Sequence, residues 1–210
     1  MAEAIALIDY GAGNLHSVYN ALKAAGAGHV AVTADPDLVL GAQRIVLPGV
    51  GAFGACAAGL WAISGMVEAL EQRVIRDGVP FLGICVGMQL MATRGLEHGE
   101  TAGLGWIAGD VKPIERTDPA IKIPHMGWND VAPAAHHDAA ELIEPGEAYF
   151  LHSYHFAPDN GRDIAAMTDH GGGLVAAVAR DNLLGVQFHP EKSQGFGLAL
   201  LTRFLEWNPQ

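Results

Sequence analysis

Val79-Pro80-Phe81-Leu82-Gly83-Ile84-Cys85-Val86-Gly87-Met88-Gln89 is an apolar run that passes straight into a cysteine and then into a helix-compatible stretch, residues 88–93. Gly83 and Gly87 stand two positions either side of Cys85. The pattern is that of a nucleophile elbow, a sharp strand-to-helix turn that exposes one side chain at the end of a sheet. Glycines belong there because a bulkier neighbour would collide with adjacent backbone in so tight a turn. A helix start and a nearby imidazolium favour a thiolate, and the same helix start aims backbone N–H groups, notably that of Val86, at charge developing on a substrate oxygen. A free cysteine is more often a small buried hydrophobe, so this reading needs a base elsewhere in the chain.

The surrounding segments alternate in a way that suits such an elbow. Residues 4–8, 29–33, 44–47 and 79–84 are short apolar runs that read as strands. Residues 14–25, with Leu15, Val18, Leu22 and Ala25 on one face, and residues 65–77 read as helices. This predicts an α/β fold with a mainly parallel open sheet flanked by helices and ligands at the carboxyl ends of its strands. After about Gly103 the texture changes. Residues 106–131 and 148–156 are strand-like and punctuated by proline, which predicts antiparallel strands added in the second half. Residues 174–179 and 183–188 form an expected hairpin around Arg180-Asp181-Asn182, and residues 193–207 an amphipathic closing helix. No repeat, low-complexity tract or linker divides the chain, so residues 1–210 are read as a single domain.

Composition narrows the function classes. Half of the residues are hydrophobic and 17% are charged, the balance of an ordinary globular protein. A formal net charge of −11 argues against nucleic acid or an anionic membrane as the main partner. No apolar run is long enough to span a bilayer, and the opening Met1-Ala2-Glu3-Ala4-Ile5 lacks the basic start of a secretory signal. The two cysteines, Cys56 and Cys85, have no metal-ligand spacing, so no metal and no cofactor is expected; a reducing cytoplasm is the natural compartment. Cys56, within Gly54-Ala55-Cys56-Ala57-Ala58, reads as helix packing.

Gly185-Val186-Gln187-Phe188-His189-Pro190-Glu191 supplies the base. His189 ends an expected buried strand, where a parallel sheet presents its active-site residues. Pro190 biases His189 towards extended backbone, and residues two apart in an extended segment share a side, so Glu191 can reach the imidazole. A carboxylate on one ring nitrogen turns the other towards a thiol. An isolated His-Pro-Glu reads as a strand-ending turn; its conjunction with a cysteine elbow reverses that.

Gly83-Ile84-Cys85-Val86-Gly87-Met88-Gln89 and His189-Pro190-Glu191 together closely resemble the class I, triad-type glutamine amidotransferases. Asp9-Tyr10-Gly11-Ala12-Gly13-Asn14-Leu15 and Pro124-His125-Met126-Gly127-Trp128-Asn129 resemble, more narrowly, the glutaminase subunits of imidazole glycerol phosphate synthases. The resemblance implies hydrolysis of L-glutamine to glutamate and ammonia through the triad Cys85, His189 and Glu191. It implies an oxyanion hole from the N–H of Val86 and the Val50–Gly51 peptide of Pro48-Gly49-Val50-Gly51, and substrate contacts from Gln89, Glu97, Ser153 and Tyr154. Asn14, Trp128, Tyr149 and Lys192 fall where the family meets its partner, a (β/α)8-barrel cyclase subunit. That partner uses the ammonia on a phosphorylated ribulosyl aminoimidazole in histidine biosynthesis. Three other readings stay open: another class I amidotransferase, which should lack the two narrower segments; a cysteine hydrolase of a different amide; and a non-catalytic subunit, a type that usually loses a triad member. Gly11-Ala12-Gly13 is a weak dinucleotide fingerprint, since its third glycine would fall on His16.

Overall fold

In the computed structural model, which describes residues 4–116, 118–134 and 138–209, the apolar runs of the first half become strands with helices between them. Their order is β1 (Ala4–Ile8), α1 (Leu15–Ala24), β2 (His29–Thr33), α2 (Pro36–Leu40), β3 (Arg44–Gly49), α3 (Phe53–Ala62), α4 (Met66–Leu70), β4 (Phe81–Cys85) and α5 (Val86–Gln89). A π-helical stretch, Glu71–Arg76, prolongs α4. The second half is mostly strand: β5 (Arg94–Gly95), β6 (Thr101–Ala102), β7 (Gly109–Pro113), β8 (His125–Pro133), β9 (Gly146–His152), β10 (Tyr154–Pro158), β11 (Ile164–Asp169), β12 (Gly173–Arg180) and β13 (Leu183–Val186), closed by α6 (Gln194–Glu206).

Nine strands form one sheet in the order β2-β1-β3-β4-β13-β12-β11-β8-β9. The pairs from β2 to β13 are parallel and those from β13 to β9 antiparallel, as the change of texture along the chain predicts. Every residue of β3, β4 and β13 is buried, the signature of parallel strands covered on both faces. The hairpin forms as expected: β12 and β13 pair antiparallel around Asp181, whose φ of 50° makes the reversal. Val18 and Leu22 seat α1 on the core, and Phe150, Phe188 and Phe196 link β9, the end of β13 and α6 through edge-on rings 5.8 and 5.6 Å apart.

The structure departs from the sequence reading in four places. A second sheet, β10-β7-β5-β6, accompanies the first, because the strand-like stretch 148–156 breaks at Ser153 and its halves join different sheets. The stretch 106–131 is likewise two strands, β7 and β8, which join different sheets. Helices α2 and α3 and strand β11 carry no clear periodicity; α2 is set instead by Asp35, whose side chain accepts the N–H of Asp37 at 2.9 Å, and by Pro36 in its first turn. Helix α5 begins at once after Cys85 and lasts a single turn rather than spanning 88–93. Residues 1–3, where the sequence shows no basic signal start, and Thr117 lie outside the described residues.

The elbow is the tightest point of the fold. Cys85 has φ 54° and ψ −111°, a strained conformation for a residue with a side chain. A Cβ on Gly87 would lie 1.8 Å from the Leu47 carbonyl oxygen, and one on Gly83 2.7 Å from the Gly87 carbonyl oxygen. Helix α5 therefore sits directly on the backbones of β3 and β4. Gly87→Ala is expected to destabilise the chain by about 3 kcal/mol or more, or to prevent folding. Gly195→Ala, in α6 with open space around it, should change stability by less than about 1 kcal/mol. Urea unfolding of both variants measures the contrast, and equal midpoints would contradict the packing described.

Candidate active site

Cys85 and His189 reach one place because their strands are neighbours. β4 and β13 pair in parallel, Val186 opposite Ile84, so Cys85 closes one strand while Gln187, Phe188 and His189 leave the carboxyl end of the other. His189 is pinned by backbone and hydroxyl bonds: its N–H donates to the Tyr149 carbonyl at 2.9 Å, and Ser193 Oγ donates to its carbonyl at 2.6 Å. Ser193 Oγ also accepts the Tyr149 N–H at 3.0 Å, tying β9 to the turn that carries His189-Pro190-Glu191.

His189 Nδ1 lies 2.8 Å from Glu191 Oε1, with side chains only 3% and 1% exposed. The other carboxylate oxygen, Oε2, is buried without a hydrogen-bond partner among the described residues, so His189 is the cation that balances Glu191 at close range. Nε2 is left for Cys85. Burial pulls the imidazole down, but hydrogen bonding and charge from Cys85 and Glu191 outweigh it and hold His189 at about 9, up from 6.5. The ring is therefore an imidazolium at neutral pH, able to give a proton to a leaving group.

A pocket of about 280 Å³ opens over Cys85. The expected site residues Val50, Gly51, Val86, Gln89, Glu97, Ser153, Tyr154, His189 and Lys192 all line it, together with Pro124, Leu151 and His152. Val86 is the first residue of α5, so its N–H has no intrahelical acceptor. The Val50 carbonyl accepts from Cys56 Sγ at 3.4 Å, on the α3 side. In a trans peptide the Gly51 N–H then points the opposite way. Glu97 Oε2 accepts the Phe53 N–H at 2.7 Å, capping α3 and leaving Oε1 for a ligand. Trp128 and Tyr149 lie outside the pocket as cross-strand partners with rings 6.2 Å apart, and Lys192 Nζ sits 5.7 Å over the Tyr149 ring. Asn14 also lies outside it, at the start of α1.

Three residues at or beside the site have no role at the site in the sequence reading. Gln187 is fully buried and its Nε2 is 3.6 Å from Cys85 Sγ; a lone polar side chain in an apolar strand is the mark that could have found it. Tyr10 donates to the Pro48 carbonyl at 2.6 Å, and burial together with Cys56 pushes its hydroxyl far above the ordinary range, so it remains a donor. Cys56 does pack within α3, but its thiol also holds the Val50 carbonyl, and burial pushes that thiol up despite its bond to Tyr10. Tyr10 and Cys56 thus brace the Pro48 and Val50 carbonyls, on either side of Gly49, in the loop above Cys85.

A buried cysteine beside an imidazolium, with backbone donors and a pocket of one amino acid's size, suits acyl transfer from a small amide. The raised imidazole also fixes a sign. The stability it confers is complete below 6.5 and is lost as pH rises through about 9. Activity that needs the imidazolium should likewise fall as pH rises through about 9, and Glu191→Gln should move that limb down by about one unit. A pH–rate profile decides; a limb unmoved in the variant would remove Glu191 from the device.

The family model described as glutamine amidotransferase class-I matches residues 6–206. An imidazole glycerol phosphate synthase subunit HisH from Zymomonas mobilis is 58% identical over 98% of this chain and 96% of its own length. Another subunit of that name, from Caulobacter vibrioides, is 54% identical over 99% of this chain and 100% of its own. Among solved structures, a glutamine amidotransferase superposes with a TM-score of 0.73 at 19% identity, covering 96% of this chain and 97% of that one. The PurLQS structure from Thermotoga maritima superposes with a TM-score of 0.71 at 16% identity over 98% of each chain, which shows the shared fold.

Proposed function

Because this chain belongs to the class I glutamine amidotransferases, among the HisH subunits of imidazole glycerol phosphate synthase, we propose that it hydrolyses L-glutamine with Cys85, His189 and Glu191 and passes the ammonia to a cyclase subunit. The observation that carries this reading is the meeting of Cys85 with the His189–Glu191 pair at the ends of adjacent parallel strands, beneath one pocket. Cys85 attacks the side-chain amide carbon of glutamine. The N–H groups of Val86 and Gly51 receive the oxyanion, and imidazolium His189 protonates the departing ammonia. His189 then serves as base for the water that hydrolyses the γ-glutamyl thioester, while Glu191 holds the ring in place. Gln89, Glu97, Ser153 and Tyr154 seat the substrate.

The partner face is supported by what surrounds the pocket mouth. Met126 is 65% exposed and stands opposite Leu151 across the β8–β9 ladder, next to the Trp128–Tyr149 pair. An apolar strip beside a catalytic opening marks a protein-docking surface. A (β/α)8-barrel cyclase seated there, against Asn14, Trp128, Tyr149 and Lys192, takes the ammonia before it escapes. Two glycines flank Val50, and Gly51 has φ 103°, so the loop has the conformational freedom for its donor peptide to respond to the partner. The cytoplasm suits an enzyme with two free cysteines, and among the described residues no single helix is long and apolar enough to cross a membrane.

Cys85→Ala should lower glutamine hydrolysis by about a thousandfold or more while leaving glutamine binding and co-purification with the cyclase intact. Near-wild-type turnover in that variant would sink the assignment. Partner control is tested separately: glutamine hydrolysis should rise when the liganded cyclase is added, and equal rates with and without it would reject that control.

A further inference from the structure

The segment Pro124-His125-Met126-Gly127-Trp128-Asn129 does more than face outward. Its two polar side chains that turn inward, His125 and Asn129, enter a hydrogen-bonded series running under the pocket. Asn129 Nδ2 donates one hydrogen to the Asp169 carbonyl at 2.7 Å and the other to His125 Nε2 at 3.0 Å. Its Oδ1 accepts the Asp130 N–H at 2.9 Å, so the amide can face only one way. His125 Nε2 is then an acceptor, and the ring's hydrogen sits on Nδ1, 2.9 Å from His152 Nε2. His152 in turn carries its hydrogen on Nδ1 and donates to the Tyr154 carbonyl at 2.9 Å.

The far end demands the same polarity independently. A carbonyl can only accept, so His152 Nδ1 must be the donor whatever Asn129 does, and the two ends agree. Both rings are buried, 3% and 6% exposed. Burial first, aided in each case by His170, pushes His125 down to about 4; burial likewise pushes His152 down to about 3, and both stay neutral in the cell's range. Phe150 and His170 stack on His125 with centroids 4.6 and 4.1 Å away and hold the ring's plane.

Beyond Tyr154 the series continues to the nucleophile. The Tyr154 carbonyl also accepts from Gln89 Nε2 at 3.1 Å, whose second hydrogen goes to Gln187 Oε1 at 3.0 Å. Gln187 then turns its Nε2 towards Cys85 Sγ. Each amide orientation follows from the one before, and Gln89 Oε1 remains for the pocket.

We propose that Asn129 and His125 are positioning residues: they lock in place the His152 ring that donates to the Tyr154 carbonyl, and so hold steady the acceptor on which the Gln89 and Gln187 amides, facing glutamine and the Cys85 sulfur, are aligned. The proposal rests on the glutamine pocket of the preceding subsection. Neither residue touches the reacting atoms. Their effect is on how firmly substrate is seated, so it falls on KM rather than kcat.

The test uses the full chain with ¹⁵N-labelled histidine. Long-range ¹H–¹⁵N correlation should show His125 and His152 as neutral Nδ1–H tautomers. In Asn129→Leu, His125 loses that lock, and KM for glutamine should rise about tenfold, the loss of one hydrogen bond, with kcat within about twofold. His125→Leu should behave the same way, whereas His125→Asn, whose amide reaches as far as Nδ1, should restore KM to within about threefold of wild type. Nε2–H tautomers in the wild type, or equal KM values for His125→Leu and His125→Asn, would overturn the proposal. A wild-type chain that binds no glutamine by calorimetry would overturn the pocket's assignment and the role built on it, whatever the tautomers.

Discussion

One carbonyl organises the site. The Leu47 oxygen occupies the space where any side chain at position 87 would begin, so α5 can rest on β3 with nothing between their backbones. That contact sets the height of Cys85 above the sheet and forces its strained backbone. It also sets how near the Pro48–Gly51 loop passes: a Cβ on Gly49 would lie 2.7 Å from the Gly87 nitrogen and 2.8 Å from the Tyr10 hydroxyl. Cys85 and the Pro48–Gly51 loop are thus two surfaces of one close-packed contact. Loosening it anywhere moves both.

Around that contact the polar groups are arranged by what they can donate or accept. Tyr10 and Cys56 are kept protonated by burial and each holds a loop carbonyl. His189 is kept charged because Cys85 and Glu191 outweigh the cost of burying it, while His125 and His152, which no acidic side chain among the described residues offsets, are kept neutral by burial. Three imidazoles in one small region hold different protonation states, and the difference is that the Cys85 sulfur and the Glu191 carboxylate lie within hydrogen-bond reach of His189 alone of the three.

Much of this was legible from residue order. The parallel half of the sheet follows from runs such as 44–47 and 79–84, too apolar to have a wet face, and the elbow follows from a cysteine between Gly83 and Gly87 at a strand end. Pro190 and the two-residue spacing made the His189–Glu191 pair readable as well. What stayed hidden depends on contacts between distant segments. Glu97 capping α3, Ser193 gripping His189 and Gln187 meeting Cys85 each need the fold before the partner exists. The break at Ser153 was hidden for another reason: periodicity reports that a stretch is extended, and says nothing about which sheet it joins.

That break has a mechanical meaning. β9 belongs to the nine-stranded sheet and β10 to the four-stranded one, and Ser153 between them lines the pocket. A ligand lodged between Ser153 and Tyr154 on one side and the loop above Cys85 on the other would span the seam between these two plates. Occupancy then acts as a rivet. It resists sliding of one plate over the other, and any force that shears them is felt first at the bound molecule.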